Sequence, residues 1–206
     1  MSDAAEQHAL VQRAKDGDVA AFERLVAPHV PRVRRFARSM CSDPADADDV
    51  AQDALVKAYL AVRSYRYQAA FSTWLYRIVR NTFIDSTRSA HARRRDRTET
   101  LEPAQEPAGG AGDRPDEQLL RARRRALLWD ALRKLPTEYR TAVVLFDLEG
   151  FSQEEVAAIE EVALGTVKSR ISRGRKQLRA LLGEQDLLEA GNLDGSDLVE
   201  PKRSLP

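Results

Sequence analysis

Residues Ser152–Leu182, SQEEVAAIEEVALGTVKSRISRGRKQLRALL, decide the fold. Ser152 followed three positions later by Glu155 is a capping box: the Ser152 side chain accepts from the Glu155 amide, and the Glu155 carboxylate reaches back. Val156, Ala157 and Ile159 supply the apolar face of a short helix. A tight turn follows at Glu160–Ala163. The next helix carries one apolar stripe, Val167, Ile171, Leu178 and Leu182. Its ionisable residues are Lys168, Arg170, Arg173, Arg175, Lys176 and Arg179, with no acid among them. A capped helix, a turn and a one-sided cationic helix, in that order, predict a helix-turn-helix whose second helix lies along a polyanion. In that arrangement Thr166–Arg170 face base edges, and Arg173, Arg175 and Arg179 favour phosphates. The plain alternative is a solvated basic helix, which the co-occurrence of cap, turn and stripe makes the weaker reading. Glu161 falls where such turns often need a left-handed residue. Gly174 costs the helix about 1 kcal/mol against alanine, and either a close phosphate or a poorly packed spot would account for it.

Outward from this segment the same helical period continues. Leu120, Leu127, Ala131 and Leu135 trace a helix ending at Leu135-Pro136. Pro136 opens another with Val143, Val144 and Phe146, closed by Gly150. Before them lies Glu102–Pro115, EPAQEPAGGAGDRP, which has almost no large apolar residue and predicts a flexible linker. Phe22, Leu25, Val26, His29, Val33, Phe36, Ala37 and Met40 trace a helix begun at Gly17-Asp18, with Pro31 bending or breaking it. Asp43-Pro44 caps a second helix, striped by Ala47, Val50, Ala51, Ala54, Leu55, Ala58 and Val62. Trp74, Leu75, Ile78, Val79 and Phe83 mark a third. No stretch alternates as a strand does. The expected fold is all-α: two small helical domains, 4–95 and 118–182, a linker over 96–117, and a loose tail over 183–206 with at most a helical turn at Leu187–Leu188.

The bulk properties narrow the function. The chain has 206 residues, 33 Lys+Arg and 32 Asp+Glu, for a net charge of +1, so any affinity for nucleic acid must come from the placement of charge. Cys41 is the only cysteine, so no internal disulfide forms; a lone cysteine beside a helix end is more often inert than a redox sensor. His8, His29 and His91 are isolated, so no metal or cofactor is expected. Neither a signal core nor a membrane-spanning run is present, and a cytoplasmic protein without membrane insertion is expected.

Two further patches stand out. Asp46, Asp49, Gln52, Asp53 and Lys57 lie opposite the apolar stripe of the second helix. As a metal or acid–base site they lack a histidine, and acids near a helix N-terminus are favoured anyway; the alternative reading is a protein-docking face. Around the third helix, Tyr65, Arg66, Tyr67, Phe71, Ser72, Thr73, Trp74, Arg77, Arg80, Asn81 and Arg88 interleave aromatics with arginines. That mixture suits single-stranded nucleic acid, with bases on rings and guanidiniums on phosphates. Trp74 is in phase with Leu75, Ile78 and Val79, so its main role is expected in the core.

DPADADDVAQDALVKAYLAVRSYR, FSTWLYRIVRNTFIDSTR, LPTEYRTAVVLFDLEGFSQEEVA and GTVKSRISRGRKQL, in this order, resemble the successive signatures of extracytoplasmic-function (ECF) sigma factors. The likeness covers about 16–95 and 119–182. Glu160-Glu161 departs from the commoner Leu-Gly of that family. The resemblance implies a non-enzymatic initiation factor that binds core RNA polymerase through its β′ and β subunits. Asp46, Asp49, Gln52, Asp53 and Lys57 would dock on the β′ clamp helices. Arg66–Thr73, supported by Arg77, Arg80 and Asn81, would capture a flipped base of the melted minus-ten strand. Lys168, Ser169, Arg170, Ser172 and Arg173 would read the minus-thirty-five duplex. The linker would thread the polymerase channels, its acids over Glu99–Asp116 mimicking nucleic acid. The family commonly has an anti-sigma partner, though no residue here identifies one. Two rivals remain: a two-domain helix-turn-helix regulator acting without core polymerase, which would need an α/β receiver that the N-terminal half does not offer, and a metalloenzyme at Asp46–Asp53.

Overall fold

The computed structural model describes residues 3–94, 123 and 126–189. They fall into two compact units, one within 1–102 and the other within 103–206. All regular structure among the described residues is helical. The expected linker over 96–117 lies outside them.

In the first unit α1 spans Asp3–Lys15, α2 Val19–Val26, α3 Val30–Met40, α4 Pro44–Ala61 and α5 Phe71–Arg94, with a 3₁₀ turn at Val62–Ser64 after α4. Caps fix several starts. Asp18 accepts from the Ala21 amide at 3.0 Å, and Asp43 from that of Ala45 at 2.8 Å, with Pro44 opening α4. Of the bend or break expected at Pro31, the structure has a break, giving two helices between Asp18 and Met40. α2 stops at Val26, and α3 begins at Val30 with Pro31 in its first turn, where a missing N–H costs nothing. α1 had no counterpart in the sequence reading. It buries Val11 and Ala14 and packs on α2.

α4 lies between α3 and α5. Its buried stripe is mostly alanine (Ala47, Ala51, Ala54, Ala58), which lets both neighbours approach its backbone closely. Around it Phe22, Leu25, Val33, Phe36, Leu75, Tyr76, Val79 and Phe83 fill the core. Burying such side chains yields about 1.5–3 kcal/mol each.

The second unit begins with a helix over 126–133, α6. α7 spans Thr137–Val143 and continues as a π-helical turn over Val144–Leu148; α8 spans Gln153–Glu160 and α9 Leu164–Glu189. Gly150, at φ +72°, closes the π turn. α6 buries Leu128, Trp129, Ala131 and Leu132, whereas Leu127, assigned to the inward stripe from sequence, is exposed. Ala131 and Leu135 of the expected stripe are buried, Leu128 takes the inward place expected of Leu127, and Leu120 lies outside the described residues. α9 also runs through Gly183–Glu189, so this part of the expected loose tail is helical; 190–206 lie outside the described residues.

Candidate nucleic-acid interface

The helix-turn-helix is built as its sequence demands. Ser152 N–H donates to Glu155 Oε2 at 2.8 Å, and Glu155 N–H to Ser152 Oγ at 3.1 Å. α8 ends at Glu161, which takes the left-handed conformation at φ 56° and ψ 43°, the position singled out from sequence. Val167, Ile171, Leu178 and Leu182 are buried. Gly174 is buried too. A Cβ there would stand 2.6 Å from Val143 Cγ2 and 3.2 Å from the Tyr139 carbonyl oxygen. Neither a phosphate nor loose packing is needed to account for this glycine: α9 crosses α7 at that point, and only a hydrogen fits.

The cations of α9 are not equivalent. Lys168, Arg173, Arg175, Lys176 and Arg179 are exposed, as is Ser172, while Arg170 is half-buried. Thr166 and Ser169 are half-buried, and Ser169 Oγ donates to the Thr166 carbonyl at 2.9 Å. Arg170 and Arg175 flank this face, and each is held by an acid from another element. Arg170 pairs through Nη1 with Oε2 of Glu160 at the end of α8. Arg175 grips both carboxylate oxygens of Asp147, from the π turn, with Nε at 3.0 Å from Oδ2; its guanidinium also lies 5.3 Å from the Phe146 ring centre. Two of the six cations read from the sequence are thus already ion-paired within the unit.

In the first unit Tyr65, Phe71 and Trp74 form a mutual aromatic cluster with centroids 5.3–5.7 Å apart. The Tyr65 hydroxyl donates to the Ala69 carbonyl at 2.8 Å, bracing the loop before α5. Phe71 and Thr73 are buried and support that loop from beneath. Trp74 and Ser72 are half-buried, so Trp74 presents part of its ring outside the core; Arg66, Tyr67 and Arg77 are exposed. Arg80 donates to Asn81 Oδ1 at 3.0 Å.

Sequence reasoning missed the residues of α1 that meet this loop. His8 stacks on Tyr67 with centroids 4.8 Å apart, Gln12 Nε2 donates to the Tyr67 hydroxyl at 3.0 Å, and Lys15 Nζ lies 4.8 Å from its ring centre. Tyr67 itself is held at φ 58°. No local signal announces these contacts, because the partners are far apart in the chain.

On α4 the side chains of Asp46, Asp49, Gln52, Asp53 and Lys57 are all exposed, with Lys57 3.6 Å from Asp85 of α5. Val56 and Leu60 are exposed by 52% and 71%. By helical spacing they continue the Asp46–Asp49–Asp53 stripe toward the end of α4. No group of three His, Cys, Asp or Glu side chains among the described residues is placed to hold a metal ion. None of the described helices is long and apolar enough to cross a membrane.

Comparison with known proteins adds independent findings. The family model for sigma-70 region 2 matches residues 25–98, and that for sigma-70 region 4 matches 118–178. The ECF RNA polymerase sigma factor SigE of Mycolicibacterium smegmatis is 39% identical over 171 residues, which cover 82% of this chain and 65% of that protein. The RNA polymerase sigma-H factor of Pseudomonas aeruginosa is 36% identical over 183 residues, covering 85% of this chain and 95% of that one. Among solved structures, the sigma factor RpoE from Bartonella quintana, crystallised with the anti-sigma factor NepR, superposes with a TM-score of 0.67 at 31% identity, covering 80% of this chain and 98% of that chain.

Proposed function

The chain belongs to the ECF sigma factors of the sigma-70 family, initiation factors rather than enzymes, and on that premise we propose how its surfaces divide the work of promoter-directed initiation. The unit 118–182 reads the minus-thirty-five duplex with α9 in the major groove. Thr166, Lys168, Ser169, Ser172 and Arg173 face the DNA, with Arg170 and Arg175 at the edges of that face. The single observation that carries this is the division of α9. Its inward residues are buried, its flanking arginines are ion-paired within the unit, and an exposed cationic strip remains between them.

The unit 4–95 docks on core polymerase and captures the minus-ten strand. The α4 face of Asp46, Asp49, Gln52, Asp53 and Lys57 meets the β′ subunit, supported by the exposure of Val56 and Leu60 on the same stripe. Solvent-facing apolar side chains beside acids suit a protein partner better than a metal ion or a nucleic acid. Arg66, Tyr67, Ser72 and Trp74 receive an unstacked base, with Phe71 and Thr73 beneath them and Arg77, Arg80 and Asn81 beside the strand. Unstacking costs a few kcal/mol. Stacking contributes about 1–3 kcal/mol per base, so capturing one or two bases offsets much of it, and strand separation is favoured by binding its product. No bond is made or broken by this chain.

The linker over 96–117 tethers the two units on the polymerase, and the chain works in the cytoplasm, where that enzyme is. RpoE was crystallised with an anti-sigma factor; this chain is proposed to accept a partner of the same kind. Run-off transcription with purified core polymerase tests the whole reading, and the expected result is new, defined start sites. Asp49→Lys with Asp53→Lys should weaken core binding. Arg173→Ala should leave core binding intact and reduce promoter use. A chain that neither bound core nor changed start sites would refute the assignment, and promoter binding without core would favour a free-standing regulator.

A further inference from the structure

Glu160 carries the most deeply buried carboxylate of the helix-turn-helix. It closes α8, its side chain is 1% exposed, and it pairs with Arg170, whose side chain is 23% exposed. A buried carboxylate is a poor choice for stability, since a well-packed apolar side chain usually does as well or better there. A carboxylate at that position, against an arginine of the DNA-facing helix, points to a geometric use. Only Nη1 of Arg170 is engaged, and no other hydrogen bond to this side chain is seen among the described residues. The Nε–Nη2 edge therefore remains for a second planar acceptor.

Taking α9 as the duplex-reading helix proposed above, we infer that Glu160 is a positioning residue that holds Arg170 as the reader of a guanine. Guanine presents O6 and N7 side by side in the major groove, and the arginine fork matches that spacing. A guanidinium already fixed by a buried carboxylate has less freedom to lose on binding. It is also a poor generic phosphate contact, because its charge is offset within the protein. Pairing with Glu160 thus moves Arg170 from non-specific, salt-dependent attraction toward directional recognition.

The test uses holoenzyme reconstituted from core polymerase and the full chain, on promoter fragments from mapped start sites, with every base pair of the minus-thirty-five element substituted singly. Wild type should lose roughly ten-fold or more in affinity when one G·C pair is changed, and Arg170→Ala should abolish that dependence. Glu160→Leu should also abolish it. It should keep the thermal midpoint of wild type and bind non-promoter duplex more tightly, with a steeper salt dependence, because a cation has been released. A merely structural role for Glu160 would not produce that exchange of specificity for non-specific affinity. Glu160→Gln, which keeps the shape and one acceptor, should fall between. Glu160→Leu retaining full discrimination while Arg170→Ala loses it would overturn the inference and leave α9 as the duplex reader. Should Glu160→Leu fail to fold, a Glu160→Gln profile indistinguishable from wild type overturns it instead. No change in Arg170→Ala would instead remove Arg170 from the recognition surface, and the positioning role with it.

Discussion

At Gly174 a single hydrogen decides how closely two helices cross. The Cβ of an alanine would meet Val143 Cγ2 at 2.6 Å and the Tyr139 backbone at 3.2 Å, so helix propensity and packing pull in opposite directions. Alanine gains about 1 kcal/mol of propensity, while overpacking costs about 1–3 kcal/mol, and part of the obstacle is backbone that cannot swing aside. Gly174→Ala should therefore lower the melting temperature rather than raise it, as thermal denaturation of the full chain would report. Gly165, with nothing within 4 Å of its Cβ position, is the control: there alanine should be neutral or stabilising. His29 is a second residue whose surroundings set its behaviour. Burial first, then Arg32, holds its pKa below the usual 6.5, and its ring lies 5.7 Å from that of Phe71. The fold thus favours the neutral imidazole. Stability from this residue is full above the ordinary histidine value and is lost as pH falls through the lowered, folded-state value. Melting temperatures from about pH 7.5 down to about pH 5.5 should fall, and His29→Gln should flatten the trend.

Whole elements show how a face is narrowed by its neighbours. Read alone, α9 is a helix of six cations and one apolar stripe. In the folded unit, Glu160 from the end of α8 and Asp147 from the π turn neutralise the two arginines at its margins. Asp147→Asn would release Arg175 and widen the cationic strip. Holoenzyme carrying this change should bind duplex DNA with a log–log salt slope steeper by about 0.9, one additional phosphate contact; an unchanged slope in a salt titration would mean that Arg175 points away from the backbone. α1 acts on its surroundings in a comparable way, holding Tyr67 between His8 and Lys15. The loop before α5, proposed above to receive the minus-ten strand, is thereby braced by a helix that carries none of the motif residues.

For the whole molecule, charge balance matters more than any one patch. With a net charge of +1, long-range attraction to DNA is small, and each basic strip sits on a chain that carries as much acid elsewhere. The isolated chain should therefore bind a promoter fragment far more weakly than the holoenzyme does, as electrophoretic shift at matched salt would show. Comparable affinities would mean that polymerase contributes little to promoter engagement.

Much of the fold was legible in the sequence because its signals are local. The Ser152–Glu155 box, the Asp43-Pro44 start, Gly150 and the stripe of α9 each depend on residues within one or two turns, where i, i+3 and i, i+4 spacing is fixed by the helix itself. The exceptions share a cause. α1 lacked a strong enough stripe to announce itself. Pro31 marked a break whose size, the three residues between α2 and α3, depended on packing. α6 buries Leu128 and Trp129 where Leu127 was expected. The sequence by itself determined an all-helical protein with a helix-turn-helix, and its motifs determined the family. Only the tertiary structure decided which arginines of α9 are already paired, why Gly174 must be glycine, and which residues of α1 clasp the loop of Tyr67. Those contacts join positions 10, 28 and 55 residues apart, and no local periodicity encodes a distance that arises only when separate helices pack.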